Sequence, residues 1–84
     1  MEDFYVYIIY SETRDRYYVG SCDNLTNRLV DHNAGRSTYT KRGKPWVLKY
    51  SEVYDTRSEA RRREAEIKRK KSRNYIEYLI NSLD

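Results

Sequence analysis

Residues 4–10 read Phe4-Tyr5-Val6-Tyr7-Ile8-Ile9-Tyr10. Every side chain in this run is aromatic or β-branched, and no polar residue alternates with them. Such residues favour a pleated, packed surface, and an unbroken apolar run marks a strand covered on both faces. The run therefore predicts a central strand with structure packed above and below it. Outward from it, Ser11-Glu12-Thr13-Arg14-Asp15 is a polar turn and residues 16–21, Arg-Tyr-Tyr-Val-Gly-Ser, form a second strand. The short connection suits an antiparallel hairpin. Residues 46–54, Trp-Val-Leu-Lys-Tyr-Ser-Glu-Val-Tyr, supply a third strand.

Helical signals fill the rest. Asp23 or Asn24 can cap a helix running to about Asn33, with Gly35 placed to stop it. Leu25 and Leu29 mark its buried stripe, and helical advance puts Arg28 and His32 on the flank of that stripe. Residues 34–45 read as a polar loop ending at Pro45. Thr56-Arg57-Ser58-Glu59 is a capping box that opens a second helix, with Ala60, Glu64, Ile67 and Lys71 along one side. Ser72 can cap a last helix whose apolar face is Tyr75, Ile76, Leu79, Ile80 and Leu83. The order is β-β-α-β-α-α. It predicts an α+β fold, a small three-stranded antiparallel sheet flanked by helices.

A chain of 84 residues forms one small domain, 1–84, and with 38% hydrophobic residues its core is modest. No apolar run is long enough to cross a bilayer. The Met1-Glu2-Asp3 start lacks a signal-peptide pattern, and the single cysteine, Cys22, has no partner for an internal disulfide. These features lead us to expect a cytoplasmic protein without membrane contact, monomeric or weakly dimeric. Ten tyrosines stand against one Phe and one Trp, so hydroxyl-bearing rings do most of the aromatic packing. Tyr5, Tyr10, Tyr17, Tyr50 and Tyr54 are expected to pack on strands, and Tyr75 and Tyr78 on the last helix.

The net charge of +4 is unevenly placed. Residues 57–73 hold nine Lys/Arg and three Glu, and residues 36–44 hold Arg36, Lys41, Arg42 and Lys44 with no acid. The remainder is net acidic. A solvated, salt-bridged helix face would explain the first segment alone. The second, with Ser37, Thr38, Tyr39 and Thr40 among its charges, favours a nucleic-acid surface on which Tyr39 could stack against a base.

Most enzyme signatures are missing. The three glycines are scattered, so no Gly-rich phosphate loop exists, and no Cys/His cluster suits zinc. Cys22 and His32 would lie about 15 Å apart along one helix, too far for a nucleophile–base pair. Glu64 is the unusual residue, a carboxylate in line with Ala60 and Ile67 that needs a partner or a cleft. It has two readings, an i,i+4 pair with Lys68 or a weak Mg²⁺ ligand completed by water and phosphate. Arg28 and His32 also have two readings, as solvated residues bordering the core or as a phosphate fork with a proton relay. A tyrosine in a cationic pocket could ionise below its ordinary pKa and take a proton from water.

As an ordered set, these residues resemble the GIY-YIG endonuclease superfamily over nearly the whole chain, and in look the short stand-alone bacterial members in particular. Tyr5-Val6-Tyr7 corresponds to the first tripeptide and Tyr18-Val19-Gly20 to the second. Tyr5 departs from the glycine found in many members. Arg28, His32 and Glu64 fall at the family's arginine, histidine and metal-binding glutamate, and Tyr39-Thr40 with Pro45-Trp46 echo the segment before the third strand. The resemblance implies a metal-dependent endonuclease hydrolysing DNA. Tyr7 would be the general base or water positioner, and Tyr18 would bond that water or the phosphate. Arg28 would stabilise phosphoryl charge and His32 would assist contact or proton transfer. Glu64 would bind one Mg²⁺ or Mn²⁺, and Gly20 would permit close approach. Tyr39, Thr40, Lys41, Arg42, Arg61 and Lys68 are the expected substrate contacts. A non-catalytic nucleic-acid-binding module using residues 36–44 and 61–73, an RNA partner, and a structural domain are the competing readings.

Overall fold

The computed structural model describes residues 3–82. The apolar run forms β1 (Phe4–Ser11), which pairs antiparallel with β2 (Arg16–Cys22) on one side and β3 (Trp46–Tyr54) on the other. The sheet order is β2-β1-β3, so β1 is central as its composition requires. Three helices complete the chain: α1 (Leu25–Asn33), α2 (Arg57–Lys70) and α3 (Arg73–Asn81). Their N-caps are Asn24, Thr56 and Ser72, each side chain accepting a backbone N–H from three residues on. Leu83 lies outside the described residues.

Side-chain alternation along β1 divides the core in two. Val6 and Ile8 pack with Val19, Tyr50, Ala60, Ile67 and Leu79, beneath α2 and α3. Tyr7 and Ile9 pack with Cys22 and Trp46, with Leu25 and Leu29 of α1 against them. Burying a fully apolar side chain such as Ile8 stabilises the fold by about 1.5–3 kcal/mol. Both β1 faces contribute on this scale.

Several local expectations need correction. Both hairpin strands run one residue further: Ser11, fully buried, pairs with Arg16 and Trp46 at the end of β1, and Cys22 pairs with Tyr5 at the end of β2. The turn is thus residues 12–15, closed by Asp15 at φ 52°, a conformation that a short polar side chain tolerates. The stretch 34–45 is not an open loop. It contains a 3₁₀ turn, Lys41–Gly43, and folds back so that Trp46 Nε1 donates to the Thr40 carbonyl at 2.7 Å. Tyr75 and Ile76 pack against the core as expected, whereas Tyr78 is two-thirds exposed and packs only by stacking its ring on Tyr75, with centroids 6.4 Å apart.

Candidate active site

α1 carries only two leucines toward the sheet, and both remain half-buried. The residue it buries is His32, 2% exposed. His32 was expected on the flank of the stripe, but Tyr7 of β1, Tyr18 of β2 and Thr40 of the following loop close around it. A buried imidazole requires partners, and it has two. His32 Nε2 lies 2.8 Å from the Tyr7 hydroxyl, and Nδ1 lies 2.6 Å from Thr40 Oγ1. Thr40 was expected at the substrate surface. It is 1% exposed, because the Trp46 indole and the folded-back loop cover it, and its hydroxyl serves His32.

The three groups form a continuous chain, Tyr7–His32–Thr40, from the central strand through α1 to the loop. Tyr18 stands against it, with ring centroids 5.2 Å from His32 and 6.4 Å from Tyr7. Gly20 pairs with Tyr7 across the sheet, and a Cβ there would collide with the Tyr7 hydroxyl. This glycine is therefore needed for close approach of the tyrosine ring to the backbone.

Electrostatics follow from enclosure. Burial raises the Tyr7 pKa far above its ordinary value, reinforced by neighbouring Tyr18 and only partly opposed by Arg28. The expectation of a phenol acidified by a cationic pocket is thus reversed, since desolvation outweighs the one nearby cation. Burial also lowers the His32 pKa, and the positive charge of Arg28 lowers it further. His32 is accordingly neutral at neutral pH. Arg28 is exposed, one turn before His32, with its field reaching both ring systems.

Glu64 approaches from α2. Its Oε1 accepts from Ser21 Oγ at 2.6 Å and its Oε2 accepts from Lys68 Nζ at 2.6 Å. The i,i+4 pair with Lys68 is therefore present, while Ser21 is a partner that sequence reading missed. The signal for it lay in the alternation of β2: Tyr18 and Gly20 face α1, so Val19 and Ser21 face α2. Because β2 is an edge strand, groups from both faces meet at its rim. Lys68 spans this rim, with its ammonium 5.7 Å from the Tyr18 ring centroid.

The donor set suits only certain metals. Among the described residues no group of three or more His, Cys, Asp or Glu converges. A cation at Glu64 would draw one carboxylate from the protein and take its other ligands from water and phosphate. Mg²⁺ and Mn²⁺ tolerate that arrangement, whereas Zn²⁺ usually takes three or four protein ligands.

The remaining expected contacts are dispersed. Tyr39 is 92% exposed, Lys41 and Arg42 are exposed on the 3₁₀ turn, and Arg61 is exposed on α2. The basic segment 57–73 is partly the salt-bridged helix that its composition allowed. Arg57 pairs with Asp23, Arg63 with Glu52 and Glu66, and Arg73 with Asp15 and Glu77.

The chain is similar to known proteins. The family model for the GIY-YIG catalytic domain matches residues 3–77. The chain is 44% identical to the UPF0213 protein SH2523 of Staphylococcus haemolyticus over 69 residues, 81% of this chain and 83% of that one. It is 41% identical to the UPF0213 protein VNG_2274C of Halobacterium salinarum over 66 residues, 76% of this chain and 83% of that one. The solution NMR structure of the UPF0213 protein BH0048 of Bacillus halodurans is similar, with TM-score 0.61 and 28% identity, covering 96% of this chain and 85% of that one.

Proposed function

Because the chain belongs to the GIY-YIG family of nuclease catalytic domains, we propose that it is a metal-dependent endonuclease that hydrolyses DNA at the rim of β2. The observation that carries this reading is the enclosed Tyr7–His32–Thr40 chain, which ends beside Tyr18 where Glu64 and Lys68 reach the same rim.

The chemistry runs through proton transfer. Tyr7 accepts a proton from the attacking water on its hydroxyl oxygen and passes its own proton to His32 Nε2. This relay avoids a phenolate, which burial opposes, through a transient imidazolium that burial also disfavours, and His32 returns its proton through Tyr7 to bulk water after the leaving group departs. It uses the neutral imidazole tautomer with the proton on Nδ1, donated to Thr40 Oγ1. The water oxygen bonds to phosphorus, the bond to the leaving oxygen breaks, and that oxygen takes a proton from solvent. Tyr18 hydrogen-bonds the water or the scissile phosphate, and Arg28 stabilises charge growing on the phosphoryl oxygens. Glu64 would hold Mg²⁺ or Mn²⁺, which when bound would supply acidification of water and neutralisation of phosphate charge. Lys68 has a half-exposed side chain on a flexible stem, so it can turn from Glu64 to a phosphate oxygen.

The test is cleavage of labelled linear duplex, single-stranded and flap DNA with Mg²⁺ or Mn²⁺. Activity should require metal and disappear in Glu64→Ala and Arg28→Ala, each folded by circular dichroism. No cleavage of any substrate with either metal, or undiminished cleavage by Glu64→Ala, refutes the proposal.

A further inference from the structure

Two grooves border β2, and Tyr18 and Lys68 of the candidate site line the first of them. One, of about 450 Å³, runs outside β2 toward the junction of α2 and α3, and Arg16, Tyr17, Tyr18, Lys68, Lys71 and Arg73 are among its walls. The other, of about 270 Å³, lies over the hairpin turn and the 3₁₀ turn, lined by Arg14, Arg16, Tyr39, Arg42, Gly43 and Trp46. Arg16 belongs to both, so the grooves meet at the start of β2.

Their chemistry is one-sided. Asp15 is the single acid in either wall, and it is already bonded by Arg73 and by the Tyr10 hydroxyl. Four of the cations, Arg14, Arg16, Arg42 and Lys71, have no carboxylate partner among the described residues. Aromatic faces interleave with them. Tyr39 is almost fully exposed, while Arg73 and Lys68 stand over Tyr17 and Tyr18 at 5.2 and 5.7 Å. β2 is an edge strand of the sheet, so its outer edge pairs with no strand and offers backbone N–H groups. Phosphates bind to cations and free N–H groups, and unpaired bases stack on exposed aromatic rings.

We infer that the two grooves form one path for a nucleic-acid strand, which crosses at Arg16 and passes the reacting centre at Tyr18. The proposed nuclease reading says which phosphate on this path is cut; the path itself requires only binding. Arg14 in the hairpin turn and Arg16 at the start of β2 thereby join the loop and helix segments into a single surface. The outer face of α2, with Arg62 and Arg69, lies off it despite equal charge.

Fluorescence anisotropy with a labelled oligonucleotide of roughly 20 nucleotides, single-stranded or annealed, tests the path. Glu64→Gln protein in EDTA removes cleavage from the readout. Arg16→Gln with Lys71→Gln should weaken binding at least about tenfold at 0.1 M salt. Each phosphate contact contributes about 0.7 to 0.9 to the salt slope, so the slope should fall by about 1.4 to 1.8. Arg62→Gln with Arg69→Gln makes the same charge change on the other face, and should cost less than about threefold. Backbone amide shifts on adding the oligonucleotide to the unsubstituted track should centre on Arg14, Arg16, Tyr39 and Lys71. Equal losses from both pairs, shifts centred elsewhere, or no binding at low salt overturn the inference. Binding on this path without cleavage would refute the nuclease reading alone. Cleavage with binding elsewhere would refute the path alone.

Discussion

Thr40→Val isolates the buried chain. The substitution replaces a hydroxyl by a methyl of similar volume, so the packing beneath Trp46 persists. The Trp46 indole bond is to the Thr40 backbone carbonyl and survives as well. What disappears is the 2.6 Å bond to His32 Nδ1, at a site where both side chains are nearly inaccessible. An imidazole nitrogen left buried without a partner costs about 1–3 kcal/mol. With a urea m-value near 1 kcal/mol/M for a chain this small, the unfolding midpoint should fall by about 1–3 M. Thr40→Ser keeps the hydroxyl and should lose well under half of that. Imidazole ¹⁵N shifts should show the Nδ1-protonated tautomer in the parent and in Thr40→Ser, but a changed tautomer population in Thr40→Val. Cleavage by Thr40→Val should fall through kcat, since Thr40 touches no substrate. An unchanged midpoint together with an unchanged tautomer would refute the role assigned to Thr40.

Three further outcomes follow from the same geometry. Gly20→Ala should destabilise by about 1–3 kcal/mol, because its methyl overlaps the Tyr7 ring end; adding Tyr7→Phe should recover only part of this in urea melts, as the ring carbon remains in the way. Glu52→Gln should cost about 1.5–3 kcal/mol by calorimetry. Glu52 accepts from Arg63, Tyr50 and Tyr54, and although its burial alone would raise its pKa, these bonds outweigh that and lower it. The third concerns pH. His32 has its pKa lowered in the fold, so below about pH 6.5 the unfolded chain binds the proton first. Stability from His32 is therefore fully present above that value and declines as pH falls toward the folded pKa; Thr40→Ser should keep this slope in urea titrations, and His32→Gln should remove it.

Much of the fold was legible in the chain. An unbroken β-branched and aromatic run has one good use in a small protein, as a central strand with both faces covered, and residues 4–10 are that strand. Capping residues set the helix starts because they satisfy local N–H groups, and Asn24, Thr56 and Ser72 do so through neighbours three residues away. Glu64 declared itself by lying in line with Ala60 and Ile67. Less legible was the burial of His32, since helical periodicity places a residue around an axis but does not say which distant residues close around it.

The sequence alone determined the order of elements, the central position of β1, and the residue types available for phosphate chemistry, because these depend on local preference and on periodicity. Tertiary structure decided what those residues are to one another. It buried Thr40 and His32 behind Tyr7, which makes one hydrogen-bonded chain of groups that are 25 and 8 residues apart in the sequence. It set Ser21 against Glu64 and sorted the cations of α2 into those that face the β2 rim and those that face away. These relations arise where separate segments close on one another. They depend on desolvation and on distances across the sheet, and neither quantity is carried by the order of residues along the chain.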